Sequence, residues 1–284
     1  MPRHVLTLTC DDVIGIVAAV SAALAETGCN INEAQQFDDP ETGRFFMRVA
    51  YDGPDAPFRA AFAPVAARFG MDWALRPAGA PRRVLILVSA FDHCALDLMY
   101  RARIGELGME VAGIVSNHPR ERLALPEDPA IPFHHLPLPA GAPPEAKAAQ
   151  EARLMEIIEA SGAVLVVLAR YMQILSADLA GRLEGRCINI HHSFLPGFKG
   201  ARPYHQAHAR GVKIIGATAH YVTADLDEGP IIAQDVEHVS HSDGPEDLVR
   251  RGRDIERRVL ARAVAHHLED RVLLNGHKTV VFRP

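Results

Sequence analysis

Apolar and polar positions along this chain follow two rhythms, and the rhythm changes once. Val5 to Thr9 alternates like a half-buried strand, and Val13, Ile16, Val17, Val20 and Leu24 then recur at helical spacing, with Gly28 where a helix end favours glycine. Asn30 to Phe37 reads as a second strand, Asp38 to Gly43 as a turn, and Arg44 to Tyr51 as a third strand rich in Phe, Met and Val. Phe58, Phe62, Val65 and Phe69 mark another amphipathic helix, followed by a strand from Met71 to Leu75. The order βαββαβ is that of a ferredoxin-like module. Pro77-Ala78-Gly79-Ala80-Pro81 ends it as a linker, so a first domain is expected over 1–80 and a second over 81–284.

Beyond the linker the strands become continuous apolar runs, the pattern of strands covered on both faces. Val84 to Val88, Val111 to Val115, Val164 to Leu168 and Cys187 to Ile190 are such runs, and helices are expected over 92–107 and 145–160. Further strands fall near 213–222 and 231–236, before a long charged helix from about Pro245 to Glu269. The tail from Arg271 to Phe282 reads as a hairpin turning at Asn275-Gly276. Strands alternating with helices predict an α/β fold with an open, doubly wound, mostly parallel sheet.

Composition narrows the function classes. The chain has 284 residues, 48% of them apolar, and a formal net charge of −5 with no block of Lys and Arg, so nucleic acid is not an expected partner. No run approaches the ~20 apolar residues that span a bilayer, and the N-terminus enters a strand directly, so a cytoplasmic protein with no membrane partner is expected. Cys10, Cys29, Cys94 and Cys187 are far apart and form no CxxC pair, as in a reducing compartment. Fifteen histidines include three adjacent pairs, but no ligand set has metal-binding spacing, and no metal is expected. Neither GxGxxG nor GxxxxGK[ST] occurs, which removes the usual phosphate cradles.

Open α/β sheets place chemistry beyond the carboxyl ends of their strands. The run Cys187-Ile188-Asn189-Ile190 leads into His191-His192-Ser193. Two residues apart in extended chain, Asn189 and His191 point to one side and His192 to the other. An amide donor beside an imidazole suits attack on a carbonyl: the amide meets the developing oxyanion and the imidazole moves the proton. A second candidate is Asp227, in Asp225-Leu226-Asp227-Glu228-Gly229-Pro230, whose carboxylate can orient an imidazole and a water. On spacing alone, an Asn–x–His at a strand end also serves structure, acidic residues before Gly-Pro also make a plain turn, and a lone His220 reads as hydrogen-bonded structure.

Longer motifs resolve the ambiguity by resemblance. Ile188 to Tyr204, Gly216 to Val222, Leu226 to Ile232 and Val167 to Leu175 resemble the signatures of the formyltetrahydrofolate-dependent formyltransferase fold. The first 76 residues resemble an ACT domain. Within the fold the chain is most similar to the deformylase family. Relatives that formylate glycinamide ribonucleotide read His-Pro-Ser where this chain has His191-His192-Ser193, and carry a phosphate loop where it has Ser89-Ala90-Phe91-Asp92-His93-Cys94.

The resemblance implies hydrolysis of 10-formyltetrahydrofolate to formate and tetrahydrofolate, supplying formate for purine synthesis and recycling folate. It implies catalysis by Asn189, His191 and Asp227, and a pterin pocket involving Met172, Gln173, Ile174, Leu175, Val222 and Asp225. No cofactor is consumed, because the folate is the substrate. The ACT resemblance implies a small amino-acid effector near Asp12 and Gly15, and a homo-oligomer. Deformylase ACT domains commonly begin Cys-Pro-Asp-x-Pro-Gly, whereas this chain has Cys10-Asp11-Asp12-Val13-Ile14-Gly15. A formyltransferase to a small amine, and a sensor that has lost turnover, are the rival readings.

Overall fold

A computed structural model describes residues 1–139, 141–193 and 203–284 of the chain. The chain divides into two compact units. The first comprises Met1–Ala80 together with His266–Asn275 and Val280–Pro284, and the second Pro81–Ala265 with Gly276–Thr279.

In the first unit β1 (Arg3–Asp11), α1 (Ile16–Glu26), β2 (Asn30–Asp39), β3 (Arg44–Asp52), α2 (Asp55–Phe69) and β4 (Asp72–Pro77) realise the βαββαβ pattern, with sheet order β2-β3-β1-β4. Leu6, Leu8, Val20, Leu24, Phe45, Met47, Tyr51, Phe58 and Phe62 form its core. The α1 pattern is shorter than its apolar spacing suggests. Gly15 adopts φ 101°, a left-handed conformation that suits glycine, so Val13 and Ile14 stay exposed in the preceding loop.

Strand β3 is buried along nearly its whole length, although a strand with one wet face would alternate. Part of the reason lies at the other end of the chain. The Arg48 guanidinium donates to the Glu269 carbonyl at 3.2 Å, Arg271 pairs with Glu33 at 2.8 Å, and buried Asn275 donates to Asp39 at 2.5 Å. The hairpin turn therefore falls one residue later than expected. Asn275 is held in its strand, and Gly276-His277 form the two-residue loop, with Gly276 at φ 59°.

The second unit runs β5 (Arg82–Val88), α3 (His93–Arg103), β6 (Met109–Ser116), β7 (Phe133–His135), α4 (Pro144–Ser161), β8 (Leu165–Leu168), α5 (Ala177–Arg182), β9 (Cys187–His191), α6 (Pro203–Ala209), β10 (Ile214–Tyr221) and β11 (Ile231–His238). Helix α7 (Pro245–Leu268) then leads to the hairpin of β12 (Val272–Asn275) and β13 (Lys278–Val281). The sheet order is β11-β10-β9-β8-β5-β6-β7. Pairing is parallel from β7 through β6, β5 and β8 to β9, and antiparallel where β10 and β11 complete the sheet. Helix α3 stops at Arg103 rather than near Leu107, because Gly105 enters the left-handed region and the Glu106 amide caps back onto the Arg101 carbonyl. Strand β7 and helices α5 and α6 are short and escape the periodicity argument. Among the described residues no helix is long and apolar enough to cross a membrane.

Candidate active site

A cavity of about 370 Å³ opens where β8, β9 and β10 end. Asn189, His191 and Asp227 line it, as do Met172, Gln173, Ile174, Leu175, Val222 and Asp225. Met172, Ile174 and Leu226 keep more than half of their surface exposed and give the cavity an apolar lip. The motif residues 194–202 lie outside the described residues.

The loop after β8 is pinned from the neighbouring strand. Ser89, which follows β5, is buried; its Oγ donates to Asn117 Oδ1 at 2.6 Å and accepts from the Met172 amide at 2.9 Å. The Ser89 amide donates to the Arg170 carbonyl at 3.3 Å. The segment after β5 thus holds the 170–172 backbone at the cavity wall.

The loop bearing Asp227 is set by Gly229. A Cβ at that position would lie 1.8 Å from the Tyr221 carbonyl oxygen, so only glycine permits the chain to fold back and the Tyr221 amide to donate to the Pro230 carbonyl at 2.9 Å. Asp227 itself sits at φ 59°, a conformation that aspartate and asparagine tolerate better than most residues. Gly229→Ala is expected to displace the carboxylate and cost at least about 10²-fold in turnover, since an ångström of misplacement has that effect. Steady-state kinetics on the folded variant check this.

His191 and Asp227 meet directly. His191 Nδ1 lies 3.2 Å from Asp227 Oδ1, with both side chains largely buried. His191 Nε2 is buried and without a hydrogen-bond partner among the described residues. Burial alone would raise the Asp227 carboxyl, but the hydrogen bond and charge of His191, with the His220 ring 3.7 Å away, outweigh it and hold the group well below the usual carboxylate range.

Asn189 is oriented by His220, a residue that sequence spacing leaves as plain structure. The antiparallel register of β10 on β9 places His220 opposite Asn189. His220 Nδ1 donates to the Tyr221 carbonyl at 2.8 Å, which leaves Nε2 as an acceptor for Asn189 Nδ2 at 3.3 Å. The second N–H of that amide is then available to a ligand.

His192 departs from the alternation expected of it. Strand β9 ends at His191, and His192 swings to line the same cavity, its ring stacked on that of His191 with centroids 5.1 Å apart and planes 17° from parallel. Arg170, also in the wall, is a further residue that spacing did not single out. Asp12 and Gly15, the effector candidates, lie exposed in the loop before α1, where the Asp12 amide donates to the Gly43 carbonyl at 2.9 Å.

One group of metal-capable side chains converges among the described residues, namely His93, Cys94 and Glu256. Its carboxylate is already engaged. His93 Nε2 donates to Glu256 Oε2 at 2.9 Å, the Tyr204 hydroxyl donates to Oε1 at 2.7 Å, and Arg170 Nε stands 3.4 Å from Oε2. Burial pushes the Cys94 thiol well up, and a guanidinium next to the carboxylate opposes a second cation. The arrangement is a neutralised buried ion pair rather than an open ligand set.

Comparison with known proteins agrees with this architecture. Residues 82–264 match the family model "Formyl transferase", and residues 4–57 match "ACT domain". A formyltetrahydrofolate deformylase of Corynebacterium sp. (strain P-1) is 54% identical, covering 99% of this chain and 98% of that protein. The chain belongs to the formyltetrahydrofolate deformylase family. The crystal structure of a family member from Burkholderia mallei, 52% identical, superposes with a TM-score of 0.91 and covers all of both chains. A glycinamide ribonucleotide transformylase from Symbiobacterium toebii shares the catalytic fold at 31% identity and a TM-score of 0.64, but covers only 74% of this chain.

Proposed function

We propose that this chain hydrolyses 10-formyltetrahydrofolate to formate and tetrahydrofolate, with Asn189, His191 and Asp227 as its catalytic residues. The observation that carries the reading is the pairing of His191 Nδ1 with an ionised Asp227, which leaves Nε2 without a partner among the described residues in a cavity that also holds the Asn189 amide. Family membership supplies the substrate class. The apolar lip of Met172, Ile174 and Leu226 suits a flat pterin, and Gln173, Val222 and Asp225 complete its walls.

The chemistry follows from these charges. With Nδ1–H directed at Asp227, the neutral imidazole presents the Nε2 lone pair to a water. Asp227 is too weakly basic to keep a proton at neutral pH, so its role is to hold the imidazole with Nε2 free and to balance the imidazolium that forms. The water oxygen bonds to the formyl carbon, and the oxyanion is met by the free N–H of Asn189. His191 then returns the proton to N10 as the C–N bond breaks, and the formic acid so formed gives up its remaining proton to solvent and leaves as formate. Oxidation states do not change, so the residues need no redox group. Activity is expected to persist after exhaustive dialysis against a chelator; loss restored by one equivalent of a metal ion would show otherwise. Formate release measured with and without candidate amines tests the hydrolytic reading against transfer to an amine.

We further read residues 1–80 as a regulatory module with the catalytic domain in 81–284, the module taking a small amino acid near Asp12 and Gly15 and joining chains into a homo-oligomer. The ACT match supports this. Calorimetric titration of the full chain with the common amino acids should give heat with at least one; silence across the panel, with unchanged kinetics, would remove the effector. Four free cysteines fit a cytoplasmic setting, where the formate is usable for purine synthesis.

A further inference from the structure

The wall that bears Met172, Gln173 and Ile174 belongs to neither a helix nor a strand: the chain leaves β8 at Leu168 and enters α5 at Ala177. Its side chains divide between anchoring and display. Tyr171 is buried in the core and Leu175 packs against it, whereas Met172 and Ile174 stand exposed at the cavity lip. The turn out of β8 is strained. Arg170 takes φ 63°, a left-handed conformation that a residue other than glycine keeps only where its surroundings impose it. Those surroundings include Ser89, whose amide donates to the Arg170 carbonyl at 3.3 Å and whose Oγ accepts from the Met172 amide at 2.9 Å. At the far end of the wall, the Ser176 amide donates to Glu151 Oε1 at 2.8 Å.

We propose that Ser89 is a positioning residue for the folate: through the Met172 amide it holds the apolar wall in the shape that the pterin meets, and so sets substrate affinity rather than the rate of the chemical step. The inference rests on the hydrolytic reading and adds to it what keeps the pocket in shape. A serine hydroxyl has one proton to give and lone pairs to receive with. Asn117 Oδ1, 2.6 Å away, takes the proton, which leaves a lone pair for the Met172 N–H. Ser89 follows β5 and Asn117 follows β6, adjacent parallel strands, so the sheet itself fixes both side chains. Ser89 is 1% exposed, and water does not compete for these bonds. Removing the hydroxyl leaves a buried N–H to seek another partner, and the strained turn loses one of its restraints. The hydrogen bonds of Ser89 run to Asn117, Met172 and Arg170, none of which is an acid, base or oxyanion donor in the mechanism. The effect therefore falls on binding.

The test compares the full-length parent with Ser89→Ala by calorimetric titration with tetrahydrofolate in deoxygenated buffer, by steady-state kinetics and by hydrogen exchange read by mass spectrometry. In Ser89→Ala the Kd for tetrahydrofolate and the KM should both rise by about fivefold to tenfold, the scale of one buried hydrogen bond, while kcat changes by less than about threefold. Exchange in residues 169–176, measured without ligand, should quicken by about tenfold, with β5 and β8 exchanging as in the parent. Should Ser89→Ala fail to fold, two changes at the partly exposed Asn117 decide the matter. Asn117→Ala frees the hydroxyl to rotate and should raise Kd, and Asn117→Asp, which keeps an acceptor oxygen, should raise it less. Unchanged affinity in folded Ser89→Ala, equal affinities in the two Asn117 variants, or a fall in kcat with KM unmoved would overturn the proposal. A parent that does not bind tetrahydrofolate would overturn the substrate reading, and this proposal with it.

Discussion

Asp227→Asn should fold as the parent does and turn over about 10²–10⁴-fold more slowly, the range for lost acid–base assistance. Folding is preserved because asparagine accepts the φ of 59° that the loop imposes, and an amide oxygen can still receive the His191 Nδ1–H. Catalysis is not preserved, because the imidazolium formed when His191 takes the proton loses its counter-charge. Stability should carry a matching signature. The folded carboxyl is held below its unfolded value, so its contribution is present above about pH 4 and disappears as pH falls through the folded value. The parent should therefore be the more stable protein at neutral pH, and the gap to Asp227→Asn should close in acid. Near-parental turnover in a folded variant would remove Asp227 from the mechanism.

Asn189→Ala should lower kcat by about 10²–10³-fold with a small effect on KM, as expected for a donor that acts on the oxyanion. The side chain sits opposite His220 in the β9–β10 ladder, so removing it deletes one hydrogen bond without disturbing the strand pairing. A KM effect with kcat unchanged would instead make Asn189 a ground-state contact.

The readability of this protein from sequence divides along local and non-local lines. The βαββαβ pattern and the buried parallel runs are local signals, and the sheet orders follow them. Asn189 and His191 were legible because two-residue spacing at a strand end determines a common face. His192 was misjudged because alternation holds only while the strand lasts, and β9 stops one residue earlier. His220 reaches Asn189 through antiparallel register, and Arg170 reaches Glu256 between the β8 loop and α7, partnerships that no spacing rule encodes. The same holds for Arg271 and Asn275, whose partners Glu33 and Asp39 lie near the opposite end of the chain. Gly229 is the intermediate case. Gly-Pro after acidic residues announced a turn, but only the 1.8 Å approach of a Cβ to the Tyr221 carbonyl shows that glycine there sets the position of Asp227.

The central claim, that water is the acceptor of the formyl group, is tested most directly by turnover of 10-formyltetrahydrofolate in ¹⁸O-enriched water, with the formate analysed by mass spectrometry. Attack by a water activated at His191 Nε2 predicts formate carrying one solvent oxygen in equal amount to the tetrahydrofolate released, with no amine present. Tetrahydrofolate that appears only when an amine is supplied, with the formyl group on that amine and no labelled formate, would contradict it.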